Sequence, residues 1–505
     1  MFKNILVSVS DKSGLVDFLR PFYAAGARIV STGGTARTLR EAGIRTVDVS
    51  EQTGFPEVMD GRVKTLHPKI HMALLARKGV EEDDTLLKQE GIEPFDLIIV
   101  NLYPFEQTLA TKAAQAELIE NIDIGGPSLL RGASKNFERI TVVVDPADYK
   151  ELAVGTSTLG QRQRLAAKAF AHVSSYDAMI SQTLAPGEAF VQFGLGGTKV
   201  QELRYGENPH QKAVWYKRRG AQTGWQDAKV LQGKELSYNN LLDLESALGL
   251  LRDFDQPSAV AVKHNNPCGA SSSDQLDAAV TKCLASDPVS VFGGIIAVNQ
   301  EVTAKSAEAF NKVFLECIVA PKFSQEALEI FAKKKNLRLL EWPELGMRDD
   351  FWKIQTIQGG FLVQEADRVH NWNPEWKILG EQPTPKIRAD LSFAWALAAH
   401  LKSNAIAIAA DKQSLGLGMG QVNRVDAVEL AIQRMRKFHP EYETSTPVLA
   451  SDAFFPFADS IELIKAAGIR WVIQPGGSVR DEEVFARAKD LGVTMILTGQ
   501  RHFRH

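Results

Sequence analysis

The sequence predicts an α/β protein built on parallel sheets covered by helices. In the first 190 or so residues, short apolar runs rich in β-branched residues alternate with segments of helical spacing. Several of these runs are apolar throughout, as a strand buried on both faces requires. Polar, glycine-containing turns follow the runs, where such sheets hold ligands at the carboxyl ends of their strands.

The elements follow in order. Ile5 to Val9 reads as the first strand and Leu15 to Ala24 as the first helix. Arg28 to Ser31 is a second strand, ending in Thr32-Gly33-Gly34-Thr35, and Thr35 to Ala42 a second helix. Asp96 to Asn101 and Ile140 to Val144 are further buried strands. Near 185–200 the texture changes: Pro186, Gly187, Gly194, Gly196 and Gly197 suggest a linker. A second boundary is expected between Pro374 and Pro385. Beyond it come a helix over Leu391 to Leu401, with Asp390 at the N-cap position, and a strand over Ala405 to Ala409. The expected domains are 1–190, 198–375 and 386–505.

The second part carries signs of a diverged duplication. Ala285-Ser286-Asp287 pairs with Ala450-Ser451-Asp452, and Lys263-His264-Asn265 with Lys402-Ser403-Asn404.

A chain of 505 residues has room for two to four domains. Apolar content of 44% and charged content of 24% are ordinary for a globular protein. A net charge of -3 gives no global basic field for nucleic acid. The run Lys333-Lys334-Lys335 reads as a solvated face. Three cysteines, Cys268, Cys283 and Cys317, are too few to staple this length and point to a reducing compartment. With no signal-like or membrane-spanning apolar stretch, the expected location is the cytoplasm.

Several segments can carry chemistry. Ser31-Thr32-Gly33-Gly34-Thr35 is either an anion-binding strand-to-helix loop or an ordinary turn with Thr35 as N-cap. Ser10-Asp11-Lys12 occupies the equivalent place after the first strand, and two such loops on one sheet edge favour a phosphorylated ligand. Gly61 to Pro68 gathers Arg62, Lys64, Thr65 and His67, as an anion loop or as surface charge. Asn101-Leu102-Tyr103 ends a buried strand where polar groups can face a ligand. Asp123-Ile124-Gly125-Gly126 reads as another strand-to-helix loop, with Lys135 following on a helix.

In the later part, Lys263-His264 ends a buried strand. Imidazole exchanges protons near neutrality, and a neighbouring ammonium favours its neutral form. A hydrogen-bonded structural His is the alternative. Pro267-Cys268 invites comparison with zinc deaminases, but no second Cys follows at a two-residue spacing, so zinc is not expected. Arg204-Tyr205 opens a dense polar run in which Arg204 can fork onto phosphate. The C-terminal tail, read by itself, is frayed.

Together these segments resemble the bifunctional purine-biosynthesis enzymes that combine phosphoribosylaminoimidazolecarboxamide formyltransferase with IMP cyclohydrolase. The resemblance rests on SVSDKSG (8–14), STGGTA (31–36), GRVKTLHP (61–68), NLYPF (101–105), DIGG (123–126), RYGENPHQ (204–211), KHNNPCG (263–269), SNA (403–405) and SDAFFPF (451–457), in order along nearly the whole chain. It implies a methylglyoxal-synthase-like cyclohydrolase domain and a transformylase region of two cytidine-deaminase-like halves. It also implies a homodimer sharing the transformylase site, with 10-formyltetrahydrofolate as co-substrate. Carried over by motif, His264 is the base, Lys263 stabilises the oxyanion or the leaving folate, and Asn404 orients the reacting groups. Arg204, Tyr205, Gly293, Glu316, Arg424, Phe454, Arg501 and His505 match nucleotide positions. Asp459 matches a pterin contact, with Val425, Gly476 and Gly477 nearby. For cyclisation, Lys135 matches the proton donor/acceptor, with Lys64, Tyr103 and Asp123 as partners. Ser10, Asp11, Lys12, Ser31 to Thr35 (with Thr32, Gly33 and Gly34), Arg62, Thr65 and Asn101 fall in the phosphate and ribose loops. Some relatives carry a monovalent cation, potassium, near the position of Asp452. Glu316, Arg504 and Gly132-Ala133-Ser134 depart from the pattern of relatives. A single-activity phosphosugar lyase and a nucleotide sensor are the competing readings.

Overall fold

A computed structural model describes residues 1–185, 192–349, 351–444 and 447–505. Pro186 and Gly187 of the expected linker lie outside the described residues. The chain forms two compact units. One is Met1–Lys199 with Tyr216–Gln222; the other is Val200–Trp215 with Thr223–His505.

In the first unit, strands β1 (Asn4–Ser8), β2 (Arg28–Ser31), β3 (Val47–Asp48), β4 (Leu97–Val100) and β5 (Thr141–Val143) form one sheet in the order β3-β2-β1-β4-β5. All four pairings are parallel, with Ile5 opposite Ile29 on one side and Leu97 on the other. The central strands are buried on both faces, which is why they read as continuous apolar runs. Helix α1 (Leu15–Ala24) turns Leu15, Phe18, Leu19 and Phe22 inward at helical spacing. Helix α2 spans Gly33–Glu41, with Thr32 as its N-cap. The sequence expectation of a start at Thr35 is thus corrected: the two glycines form the first turn, and the Thr35 hydroxyl donates to Val9 O instead. Helices α3 (Gly125–Lys135) and α4 (Leu159–Leu184) cover the sheet further, α4 opening on a Thr158/Gln161 capping box. Near the expected linker, Gly196 packs so closely that a Cβ would stand 2.4 Å from Ser175.

The second unit is an internal repeat. Its first half runs β6 (Lys229–Gln232), α5 (Tyr238–Leu251), β7 (Ser258–Lys263), β8 (Asn266–Ser272), α6 (Leu276–Ser286), β9 (Gly294–Val298), α7 (Ala304–Asn311), β10 (Leu315–Ala320), α8 (Gln325–Phe331) and β11 (Arg338–Glu341). Its second half repeats that order as β12 (Lys377–Leu379), α9 (Pro385–Ala399), β13 (Ile406–Ala410), β14 (Gln413–Gly418), α10 (Arg424–Phe438), β15 (Val448–Ser451), α11 (Asp459–Ala466), β16 (Trp471–Gln474), α12 (Asp481–Asp490) and β17 (Thr494–Leu497). All twelve strands join one sheet, β12-β17-β16-β15-β13-β14-β8-β7-β9-β10-β11-β6. The order is palindromic about the antiparallel β14–β8 contact at Ser271 and Gln413. Each half has the same hairpin, the same antiparallel neighbour and two parallel pairings beyond it.

The duplication is real, but the tripeptides suggesting it are not equivalent positions. Ala285-Ser286-Asp287 closes helix α6, whereas Ala450-Ser451-Asp452 closes strand β15, the counterpart of β9. Lys263 ends β7, whereas Lys402 precedes β13. Asp390 is also not an N-cap. Helix α9 begins six residues earlier than read, at Pro385 rather than Leu391, and its cap is Thr384, which accepts from Ile387 N. Asp390 is buried inside the helix. One face of the sheet shares a core across both halves, with Leu248, Trp342, Trp395 and Trp471 in one apolar cluster. Burial of each such side chain contributes about 1.5–3 kcal/mol. No helix among the described residues is long and apolar enough to cross a membrane. Lys333 and Lys335 are exposed just past α8, while Lys334 donates to Val313 O.

Candidate active sites

In the first unit the polar residues gather at the carboxyl edge of the sheet. Asn101, just after β4, clamps the loop after β1: its Oδ1 accepts from Ser10 N (2.6 Å), Ser10 Oγ (2.9 Å) and Asp11 N (2.9 Å). Asn101 Nδ2 returns a bond to Asp11 O. Lys12 Nζ donates to Ser10 O, and Asp11 takes Ser13 N; the Ser13 hydroxyl first, and then this N–H, lower its carboxyl pKa. Ser31 and Thr35 are buried, with their hydroxyls donating to Val7 O and Val9 O. These bonds tie the loop to the end of β1. The Thr32 hydroxyl meets Ser8 Oγ at 3.0 Å, and Gly33 and Gly34 lie exposed in the first turn of α2. The first N–H groups of a helix have no intrahelical partner and favour anions.

The loop 61–67 lies beside this turn. Lys64 Nζ sits 3.5 Å from Glu57 Oε1, and a Cβ on Gly33 would be 3.7 Å from that Nζ. Ser31, Thr32, Gly33 and Lys64 line one cavity of about 680 Å³. Ser10, Asp11, Asn101 and Tyr103 line a wider groove of about 950 Å³. Arg62 pairs with Glu120 on the surface. Thr65 is buried against the start of α3, where a Cβ on Gly125 would stand 2.4 Å from its Oγ1.

Asp123 is not on a strand-to-helix loop, as its sequence pattern suggested. It follows the short helix Gln115–Glu120 and precedes α3. Its Oδ1 accepts from Gly126 N (2.7 Å) and its Oδ2 from Tyr103 N (3.4 Å). Burial pushes its pKa up, against those two bonds and the nearby Lys64 charge. The buried Tyr176 holds the turn, accepting from Asp123 N and donating to Asn121 O. Lys135 is exposed at the far end of α3. The helix spans about 15 Å between its start beside Asp123 and Lys135.

In the second unit, His264 and Asn265 form the two-residue turn between β7 and β8, with φ of 56° and 61°. Both angles lie in the left-handed region, the type I′ pattern of tight hairpins. His264 is therefore on a turn, not at a strand end. Asp243 of α5 accepts from His264 N (3.1 Å) and Asn265 N (2.6 Å). Lys263 Nζ donates to Phe292 O at 2.8 Å, next to Gly293, whose φ is 74°. Lys263, His264, Cys268 and Arg434 line a cavity of about 430 Å³. Arg204, Tyr205 and Glu316 line another of about 800 Å³ with Lys234 and Arg338. The Arg204 guanidinium lies 5.5 Å from the centre of the Tyr205 ring. Glu316 is held by Asn240 Nδ2 at 3.1 Å.

The second half supplies a buried polar cluster. Arg424 and Asp452 form an ion pair, both shielded from solvent. Arg424 Nη2 donates to Asn404 Oδ1 at 2.8 Å, and Asn404 Nδ2 to Gln421 O at 2.9 Å. Phe454 is half-buried; Asp459, at the start of α11, is exposed and accepts from Ser460 N. Val425 is half-buried, and Gly476 and Gly477 hold φ of 71° and 96°.

The C-terminal tail is docked, which corrects the frayed reading made from its position alone. His502 is buried against Trp395 and bonds Asp367 at 2.7 Å. Arg504 Nη1 donates to His400 O and Nη2 to Ser246 Oγ, and its backbone pairs with Ser403. Ser246 Oγ in turn donates to Asn265 Oδ1 at 3.2 Å. One chain of bonds thus joins the His264 turn, through Ser246, Arg504 and Ser403, to Asp452, Arg424 and Asn404. Arg501 and His505 remain exposed on either side of Phe503. Asp243 and Ser246 escaped the sequence reading, although they sit less than one turn apart on α5.

Among the described residues, no group of three or more His, Cys, Asp or Glu side chains is placed to hold a metal ion. Burial raises the thiol pKa of Cys268 and Cys317 to about 12 each, far from thiolate character. At Asp452 the Arg424 guanidinium pairs with one carboxylate oxygen and the Ser403 hydroxyl donates to the other.

Comparisons with known proteins agree along the chain. The AICARFT/IMPCHase bienzyme family model matches residues 133–434, and an MGS-like domain model matches 14–128. The bifunctional purine biosynthesis protein PurH of Acetivibrio thermocellus is 46% identical over 519 residues, covering 100% of both chains. Its counterparts in Halalkalibacterium halodurans and Synechocystis sp. are each 47% identical, again over 100% of both chains. The solved structure of ForH covers 37% of this chain and 100% of its own at 30% identity, with a TM-score of 0.33. With a matching family model over more than half its length and full-length relatives at this identity, the chain belongs to the AICARFT/IMPCHase bienzyme family.

Proposed function

We propose that the two activities of this bifunctional enzyme are divided between its two units. The chain is a formyltransferase and cyclohydrolase of purine biosynthesis. It transfers a formyl group from 10-formyltetrahydrofolate to 5-aminoimidazole-4-carboxamide ribonucleotide, then closes the product to inosine monophosphate. Transfer belongs to the repeat unit, whose halves (198–375 and 386–505) are cytidine-deaminase-like. Cyclisation belongs to the methylglyoxal-synthase-like unit (1–190). The active form is a cytoplasmic homodimer whose transformylase site takes residues from both copies.

The observation that carries the transformylase assignment is the Lys263-His264 pair: Lys263 ends β7 beside Gly293, His264 opens the left-handed turn, and both line one cavity. The substrate amine is a weak nucleophile because its lone pair is delocalised into the ring. Its nitrogen attacks the formyl carbon, and His264 takes the proton that the amine loses, a contribution of roughly 10²–10⁴-fold. Lys263 stabilises the oxyanion of the tetrahedral intermediate. Its collapse breaks the carbon–nitrogen bond to folate, whose nitrogen leaves carrying the proton that His264 took, passed on directly or by way of Lys263. Asn404, fixed by Arg424, orients the carboxamide and formyl groups. Arg204, Tyr205, Gly293, Glu316, Arg424, Phe454, Arg501 and His505 hold the nucleotide. Val425, Asp459, Gly476 and Gly477 hold the folate.

In cyclisation the carboxamide nitrogen attacks the formyl carbon of the same molecule, and water leaves. The protein's task is near-attack geometry and proton handling. Asp123 and Lys64 flank the reacting groups with Tyr103. The loops Ser10 to Lys12 and Ser31 to Thr35, with Arg62, Thr65 and Asn101, hold phosphate and ribose. Lys135 handles a proton from the exposed end of α3, in its own chain's site or that of a second copy.

One experiment tests the division. His264→Ala is expected to abolish formyl transfer while leaving cyclisation of supplied formylated intermediate at the parental rate. Lys135→Ala is expected to accumulate formylated product. Loss of both activities in either folded variant contradicts separate sites.

A further inference from the structure

The two halves of the repeat carry the same hairpin, and they use it differently. In the first half the turn is His264-Asn265; in the second it is Asp411-Lys412, with φ of 49° and 50°. Each turn is gripped by a carboxylate from the first helix of its own half. Asp243 takes His264 N and Asn265 N, while Asp390 takes Lys412 N at 2.8 Å. The positions superpose in sequence without a gap: 243 to 390, 264 to 411 and 265 to 412 are each 147 apart. The helix caps keep the same spacing, Ser237 and Thr384, each bonding the third residue of its helix. This is why Asp390 lies buried within α9 rather than at its start.

Two consecutive non-glycine residues with positive φ are strained, and that conformation persists only where the surroundings hold it. A carboxylate accepting from the turn's backbone does so. In the second half it merely completes the fold, because Ala410 and Asp411 stand where the first half has Lys263 and His264. In the first half the same grip sets the direction of the imidazole.

We infer that Asp243 is a positioning residue for formyl transfer: through the backbone of the 264–265 turn it aims His264, and Asp390 is its purely structural counterpart. The inference rests on His264 being the base of that reaction. Asp243 touches neither substrate nor folate in this role.

The repeat supplies its own control. Asp243→Asn keeps shape but can accept from only one of the two N–H groups without turning its amide against the other. It is expected to lower kcat for formyl transfer by roughly 10- to 100-fold, the cost of a misplaced group of about 1 Å. KM for the nucleotide should stay within about twofold, since uniform binding is untouched. Cyclisation should be unchanged. Asp390→Asn should lower Tm by a similar amount yet leave formyl-transfer kcat parental. Asp243→Glu, which keeps the charge but shifts the turn, should fold and still lose kcat, and it decides the matter if Asp243→Asn does not fold. Equal kcat in the Asp243 and Asp390 variants, whether reduced or parental, overturns the inference. If instead His264→Ala retains formyl transfer, the assignment of the base fails, which is a separate result.

Discussion

At His172, on α4, burial outweighs every charge nearby. Arg219 Nη2 donates to its Nδ1 at 2.9 Å, which leaves the proton on Nε2, buried without a partner. Burial first, then the Arg219 cation, depress its pKa from 6.5 to about 4, while Asp145 opposes them and Lys168, held between Asp145 and Asp148, adds to them. The unfolded chain therefore binds this proton near pH 6.5 and the folded chain only near pH 4. The stabilisation is fully present above 6.5 and is lost as pH falls through that window. At about 1.4 kcal/mol per pH unit it is worth at most about 3.5 kcal/mol. His172→Gln, neutral at both ends, should flatten the pH dependence of the urea midpoint of the first unit, read by amide exchange on the β1 and β4 peptides. An unaltered pH dependence would mean the imidazole is protonated in the fold. Nothing in the sequence marks His172, because its burial depends on Arg219, 47 positions away. The same limit applies to Ser31 and Thr35. Their residue types pointed to an anion loop, but only the packing shows their hydroxyls committed to Val7 O and Val9 O.

Elements were more legible than partners, since strand and helix periodicity is local. The first helix spans Leu15–Ala24 and the second strand Arg28–Ser31, as their spacing implies. Where an element was misplaced, its residues carried chemistry that fits more than one setting. Asp390 has the chemistry of a cap, but it serves a turn across the fold while Thr384 caps the helix. The Asp123 loop has the glycines of a strand-to-helix turn, but the helix Gln115–Glu120 intervenes. The duplication was visible only as tripeptides that fall on unlike elements, whereas the 147-residue spacing of carboxylate and turn is faithful. Glycines keep that spacing too. Gly269 and Gly416 occur at the same point of β8 and β14, where a Cβ would stand 2.5 Å from Cys283 O on α6 and 2.1 Å from Ala431 O on α10. In both cases the obstacle is helix backbone, which cannot rotate away. Gly416→Ala and Gly269→Ala should each cost about 1–3 kcal/mol or more through overpacking, with the tighter Gly416 site the more severe. Urea midpoints for the two variants check this; a parental midpoint for Gly416→Ala would mean that α10 yields freely.

The whole molecule carries a built-in reporter. All eight tryptophans, from Trp215 to Trp471, lie in the second unit, so their emission is silent on the first. Within the second unit, Trp342 of the first half and Trp395 and Trp471 of the second belong to one apolar cluster. The β8–β14 contact runs the sheet through both halves, whereas the opposite face is covered by a separate core in each. The shared face decides how the unit unfolds. Removing either half would strip the other of a sheet neighbour and expose a common core, so the halves should melt together despite their separate origin as repeats. Urea unfolding followed by tryptophan emission should show one transition. Gly269→Ala, in the first half, and Gly416→Ala, in the second, should each move the whole of it. His172→Gln should leave it in place at every pH. If Gly416→Ala instead split the emission change into two steps, with one at the parental midpoint, the halves would be independent domains, and the β8–β14 contact would be a junction that carries no cooperativity.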